Sequence, residues 1–161
     1  FKFLERDTTF YDVVIGDLPD PNNEALAKLY SDVFFKLVRH RMARGALFAT
    51  QATSPLFSRE AYWCVEATLK AAGFAPTPYH AYVPTFGDWG WMLCRVGTAA
   101  PSLSGLRLPP QMRLRFLSSA SPAGLTAFDA DTNRVPVEAS RLDRLNILRY
   151  YERGARQWET N

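Results

Sequence analysis

The run Tyr11-Asp12-Val13-Val14-Ile15-Gly16-Asp17 sets the tightest bound on the fold. Its β-branched residues follow one another without polar alternation, which predicts a strand covered on both faces, as in a parallel sheet. The strand must stop at Asp17-Leu18-Pro19-Asp20-Pro21, where two prolines forbid ladder hydrogen bonds. A helical period follows. Val33, Phe34, Leu37, Val38 and Met42 form an apolar stripe over a helix from about residue 29 or 31 to residue 44. Ser31 caps it, Asp32 lies in its first turn, and Arg39, Arg41 and Arg44 crowd the end before Gly45, in agreement with the helix dipole.

Ala46-Leu47-Phe48-Ala49-Thr50-Gln51 is a second buried-type strand. Residues 58–72 read as a second amphipathic helix through Tyr62, Val65, Leu69 and Ala72, closed by Gly73. Strands over 77–84 and 90–96 are joined by Thr85-Phe86-Gly87-Asp88-Trp89, a link short enough for an antiparallel hairpin. The expected class is therefore α/β: the second half of a doubly wound, Rossmann-like sheet of the class I methyltransferase type, ending in that hairpin. Residues 1–97 form this part. Residues 98–161 read as a linker and a C-terminal extension, with a terminal helix over 141–157 carrying Leu142, Leu145, Leu148, Tyr151 and Trp158 near its apolar side. The sheet's first half is missing from the pattern, and there is no GxGxxG, P-loop or GxSxG. With its early charges and no initiator Met, the start at Phe1 reads as internal to a larger protein and carries no signal-peptide pattern.

Composition narrows the function classes. At 47% apolar, 14% aromatic and 22% charged residues the chain folds, and no apolar run is long enough for a transmembrane helix. Cys64 and Cys94 lie in apolar surroundings and read as buried free thiols of a reducing compartment. His40 and His80 lack metal-ligand spacing, so no metal is expected. The net charge is +3, and the whole excess lies beyond residue 96, where nine arginines meet six acids. Those arginines are dispersed among acids and apolar residues, which favours a solvated or salt-bridged face over a nucleic-acid-binding stripe.

In open α/β sheets ligands bind beyond the carboxyl ends of the strands. Asp17 and Asp20 stand there, on a loop with Leu18 stiffened by Pro19 and Pro21. Acids after strands also cap helices, but two in a proline-locked loop favour function. The second candidate is the aromatic hairpin link: Phe86, Asp88 and Trp89 could form a pocket for a cation with an apolar stem. Tyr79, Tyr82 and Trp91 are expected in the hairpin core. Gln51 ends its strand at the same edge, as a ligand contact or as a group satisfied by loop backbone.

The elements Tyr11 to Pro21, Gln51 with Ser54-Pro55, and Val83-Pro84-Thr85-Phe86 leading to Gly90-Trp91-Met92-Leu93-Cys94 together resemble the polyamine aminopropyltransferase (spermidine synthase) family. Residues 131–152, with Arg134-Val135-Pro136-Val137-Glu138 and Leu148-Arg149-Tyr150-Tyr151-Glu152, resemble the end of a bacterial branch whose members carry transmembrane helices before the catalytic domain. The resemblance implies aminopropyl transfer from decarboxylated S-adenosylmethionine, a co-substrate and not a resident cofactor, to a diamine such as putrescine. It places the proton-accepting aspartate on Asp17 and the second on Asp20, with Leu18 and Pro19 lining the amine site. The nucleoside contact falls near Glu24 and Ala25, where Asn22-Asn23-Glu24-Ala25 departs from the family's Gly-Pro-Ala. Phe86 stands where soluble members have a tyrosine that helps hold the amine. It also implies a cytoplasmic location, with the full-length parent at the cytoplasmic face of the bacterial inner membrane, and leaves room for a homodimer. The fragment needs no membrane contact and is expected to be inactive alone. Two rival readings remain at this point: a methyltransferase on the same sheet using intact S-adenosylmethionine, and a non-catalytic polyamine- or nucleoside-binding module.

Overall fold

A computed structural model describes all 161 residues except Gly105, Pro110, Arg113, Ser119, Thr160, Asn161 and the side chains of Trp158 and Glu159. Helix α1 (Lys2–Arg6) leads into strand β1 (Tyr11–Gly16), then α2 (Glu24–Ala27), α3 (Asp32–His40), β2 (Met42–Gln51), α4 (Arg59–Ala71), β3 (Phe74–Val83), β4 (Gly87–Val96), α5 (Ser121–Leu125) and α6 (Asn146–Glu159), with a 3-10 turn at Lys28–Tyr30. The sheet has four strands in the order β1-β2-β4-β3. β1 and β2 are parallel across α3, and β4 runs antiparallel to both β2 and β3. The α/β class and the closing hairpin are as the sequence predicts.

Three boundaries and two burial expectations differ. The helix expected to reach residue 44 ends at His40, and Met42 and Arg44 belong to β2. The cause is a bulge: Tyr11 faces Met42, yet Val13 already faces Leu47, and Gly45 sits between with φ of 81°. A bulged strand breaks the two-residue alternation and imitates a helical period. β1, expected to be covered on both faces, is the edge strand here, and Val13 and Ile15 are 61% and 76% exposed. Asp88 and Trp89, expected in a loop, open β4, because the connecting turn is only Pro84-Thr85-Phe86. The terminal helix starts at Asn146, after a tight turn closed by Arg141 and Arg144. Its Trp158 lies outside the described side chains. Tyr82, expected in the hairpin core, is 71% exposed.

One core joins α3, α4 and the sheet face carrying Phe48, Met92 and Cys94, with Phe34, Phe35, Trp63, Leu69 and Phe74 packed between. Both cysteines are free and buried there; burial pushes the Cys64 thiol up to about 12, so neither is an available nucleophile. Ile147 and Tyr150 of α6 belong to the same cluster. The segment before α6 is fastened along α4 by side chains: Trp63 donates to the Thr132 carbonyl at 2.9 Å, Ser140 N–H to Thr68 Oγ1 at 2.8 Å, and Arg59 to the Asn133 carbonyl at 2.7 Å. Arg134 forks onto the buried Glu66 carboxylate and lies over the Trp63 ring at 4.6 Å. Arg144 and Arg153 pair with Glu138 and Glu60, so part of the tail's positive charge is locally neutralised.

Gly90 holds α4 against the hairpin. A Cβ there would come within 2.2 Å of the buried Tyr62 ring and 2.9 Å of the Thr53 carbonyl. Gly90→Ala is therefore expected to cost about 1–3 kcal/mol through overpacking, read as a lower urea midpoint with unchanged m-value; an unchanged midpoint would show that Tyr62 can move aside.

Candidate functional site

Where β1 ends, Asp17 is exposed, with no side-chain hydrogen bond among the described residues. Leu18 and Pro19 then turn the chain so that Asp20 becomes half-buried at the end of β2. Gln51, the last residue of β2 and only 7% exposed, organises this corner. Its Nε2 donates to the Leu18 carbonyl at 2.6 Å and to Asp20 Oδ1 at 3.0 Å, and lies 3.3 Å from the Tyr30 hydroxyl. Its Oε1 accepts from the Trp89 indole at 2.5 Å. The Tyr30 hydroxyl donates in turn to the Pro19 carbonyl at 3.0 Å. A buried amide must spend its donors and acceptor on protein groups, and Gln51 spends them on both candidate regions, the acidic loop and the hairpin. Phe86 joins through its ring, 5.2 Å from that of Trp89.

Tyr30, Tyr151 and Thr53 of this cluster escape sequence reasoning. Tyr151, read as part of an apolar helix face, donates its hydroxyl to Asp20 Oδ2 at 3.0 Å across 131 positions of chain. Thr53 has φ of 63°, a left-handed conformation that β-branched residues rarely adopt. It is held there because its carbonyl accepts from Gly90 N–H at 2.8 Å while Ala52 N–H donates to the Gly90 carbonyl at 2.9 Å. The only sequence signal for Tyr151 is its place in Leu148-Arg149-Tyr150-Tyr151-Glu152.

Other candidates stand apart. Asp88 faces away from Trp89, as alternation along β4 requires, and its carboxylate lies 2.7 Å from His80 Nδ1; His80 Nε2 is 2.6 Å from the Ala127 carbonyl. Glu24 is exposed and paired with Lys28 at 2.8 Å, and Ala25 is exposed beside it. Tyr79 and Trp91 stack on each other at 5.6 Å. Among the described residues no three His, Cys, Asp or Glu side chains converge as a metal site would need, and no helix is long and apolar enough to cross a membrane.

Electrostatics separate the two aspartates. Burial raises the Asp20 pKa, while hydrogen bonds from Tyr151, Gln51 and Thr53 partly restore it. For an acid raised on folding, the cost of holding the charge is absent below the unfolded value near 3.8 and grows as pH rises through the folded pKa. Asp20→Asn, which removes the charge and keeps the shape, is therefore expected to melt above the wild-type protein at pH 7, with the difference closing below about pH 4. An Asn variant that melts lower at neutral pH would mean the hydrogen bonds outweigh desolvation.

The spermine/spermidine synthase domain profile matches residues 1–103. The chain is 40% identical over 159 residues to a polyamine aminopropyltransferase of Leptospira interrogans, covering 95% of this chain and 30% of that protein. It is 41% identical to polyamine aminopropyltransferase 2 of Ralstonia nicotianae and 39% to polyamine aminopropyltransferase 1 of Streptomyces coelicolor, covering 94% of this chain in each case and 29% and 28% of those proteins. It thus spans under a third of the length of these relatives. The crystal structure of spermidine synthase from Thermotoga maritima superposes with a TM-score of 0.60 at 13% identity, over 80% of this chain and 44% of that one, a likeness of fold. With the profile covering well over half of its residues, and with the sheet, hairpin and acidic corner in the order described, the chain belongs to the spermine/spermidine synthase domain family.

Proposed function

We propose that the parent protein is an aminopropyltransferase that moves an aminopropyl group from decarboxylated S-adenosylmethionine to a diamine such as putrescine, giving spermidine and methylthioadenosine, and that this chain supplies the amine-facing rim of its site. No resident cofactor takes part. The observation that carries the reading is the division of labour at the end of β1: an exposed Asp17 carboxylate with no side-chain hydrogen bond among the described residues, beside an Asp20 carboxylate oriented by Gln51 and Tyr151.

The reaction joins the amine nitrogen to the carbon next to the sulfonium; the C–S bond breaks, its electron pair leaves with sulfur as a neutral thioether, and nitrogen sheds a proton. A primary ammonium near pKa 10.4 has no lone pair, and a carboxylate of ordinary pKa is about six units too weak to strip it. Desolvation of the amine and repulsion from the sulfonium must therefore lower the amine's pKa. Asp17 then orients the nitrogen and takes its proton as the new bond forms, with proximity supplying much of the rate. Asp20 holds ammonium charge, and Trp89 with Phe86 offers an apolar wall to a methylene stem. Glu24 and Ala25 line the approach of the nucleoside, and Asp88, paired with His80, takes no direct part in holding the amine. The parent works at the cytoplasmic face of a bacterial membrane and is compatible with a homodimer; the fragment alone is inactive.

The test incubates the full-length protein with decarboxylated S-adenosylmethionine and a panel of di- and triamines and follows methylthioadenosine. Formation with a diamine supports the reading. No product with any amine, or methyl transfer from intact S-adenosylmethionine instead, overturns it.

A further inference from the structure

We propose that Tyr151 is a positioning residue of the amine site, so that the C-terminal helix α6 is part of the machinery that binds the cationic acceptor; the inference rests on the functional reading above. The argument begins with charge. A carboxylate taken out of water is ordinarily paired with a cation. Asp20 is half-buried, yet no lysine, arginine or histidine pairs with it among the described residues; the donors on its oxygens are neutral, Gln51 Nε2 on Oδ1 and the Tyr151 hydroxyl on Oδ2, both at 3.0 Å, with the Thr53 hydroxyl beside them. Neutral donors fix the plane of a carboxylate without cancelling its charge, and they leave acceptor capacity on it. An oriented, partly desolvated carboxylate with no counter-ion is complementary to an incoming ammonium.

Tyr151 is suited to this task because it remains a donor: burial and the neighbouring Asp20 push its hydroxyl up to about 12. Nor is that hydroxyl what docks the helix. Arg153 pairs with Glu60 on α4 at 3.1 Å, the Tyr150 hydroxyl accepts from Glu138 N–H at 3.2 Å, Asn146 donates to the Ala139 carbonyl at 3.0 Å, and Ile147 is fully buried. The helix is held by its neighbours, and Tyr151 is free to act on Asp20.

The experiment compares full-length wild-type protein, Tyr151→Phe and Tyr150→Phe, with the amine varied at saturating decarboxylated S-adenosylmethionine and the reverse, alongside melting temperatures and calorimetric putrescine binding. Tyr151→Phe is expected to raise the KM and Kd for putrescine about tenfold, the scale of a hydrogen bond lost to a charged group, with the KM for the sulfonium substrate unchanged and the melting temperature lowered by only a few degrees. Tyr150→Phe, which removes a hydroxyl of the same helix that does not reach Asp20, should lower the melting temperature and leave putrescine KM alone. Unchanged putrescine binding in Tyr151→Phe overturns the inference, as does an equal loss in Tyr150→Phe, which would mean helix docking alone matters. Wild-type protein that binds putrescine in a Tyr151-dependent way without forming methylthioadenosine removes the functional reading and leaves this inference standing; no binding at all removes both.

Discussion

Replacing Asp17 with asparagine in the full-length protein is expected to lower kcat for the proposed aminopropyl transfer by a factor on the order of a thousand, with little change in stability. The first half follows from proton accounting. Asparagine keeps the size of the side chain and one carbonyl oxygen, so it can still orient an amine, but it cannot take the proton that nitrogen must lose; a positioned acid or base in such a step is worth about 10² to 10⁴ in rate. The second half follows from the surroundings, since Asp17 is exposed and has no side-chain hydrogen bond among the described residues. Steady-state kinetics with putrescine and a thermal melt on the same sample check both. A variant with a melting temperature within about 1 °C of wild type and a kcat within threefold would remove Asp17 from the chemistry.

Gln51→Leu should be the most damaging single change to the architecture of the site. Leucine fills nearly the same volume, so packing is kept and the loss is one of hydrogen bonds. The Trp89 indole loses its 2.5 Å acceptor, the Leu18 carbonyl its 2.6 Å donor and Asp20 Oδ1 its 3.0 Å donor, all at a position only 7% exposed. Each buried polar group left without a partner costs about 1–3 kcal/mol, and some are re-satisfied by water, so a loss of about 3–5 kcal/mol is expected. For a domain of this size that lowers the melting temperature by about 10 °C or more. Diamine binding should weaken as well, because the loop from Asp17 to Asp20 and the Trp89 wall are tied to one another through this amide. A Gln51→Leu protein melting within 2 °C of wild type would show that Leu18 and Trp89 find other partners without effort. Gln51→Glu is a sharper probe: it keeps the acceptor for Trp89 but sets a second carboxylate beside Asp20, so its defect should be larger at pH 7 than at pH 5.

What the residues reveal in advance, and what they hide, follows from how local each feature is. The strand Tyr11–Gly16, the Ser31 cap and the helix Arg59–Ala71 rest on runs of neighbouring residues, and they read correctly. The bulge at Met42–Leu47 does not, since a strand that breaks alternation mimics a helix until its partner strand is known. The rim of acids was legible because proline twice marks the end of a strand. Its support was not. Thr53 is left-handed only because Gly90 approaches from another strand, and Tyr151 reads as one more apolar-face residue until folding brings it to Asp20. The exposed Val13 and Ile15 show the same limit from the other side: composition says a strand is suited to burial, and only topology says which face receives it.

Thr132, Asn133 and Arg134 are clipped to α4 through Trp63, Arg59 and Glu66, so α6 is placed independently of the chain that precedes the clip. An insertion at an exposed position ahead of it adds mainly the entropy of closing a longer loop, roughly 0.6 kcal/mol for each doubling. Because the clasp on α4, and not the chain before it, brings Tyr151 to Asp20, a change of length between the hairpin and the final helix is expected to leave that contact in place.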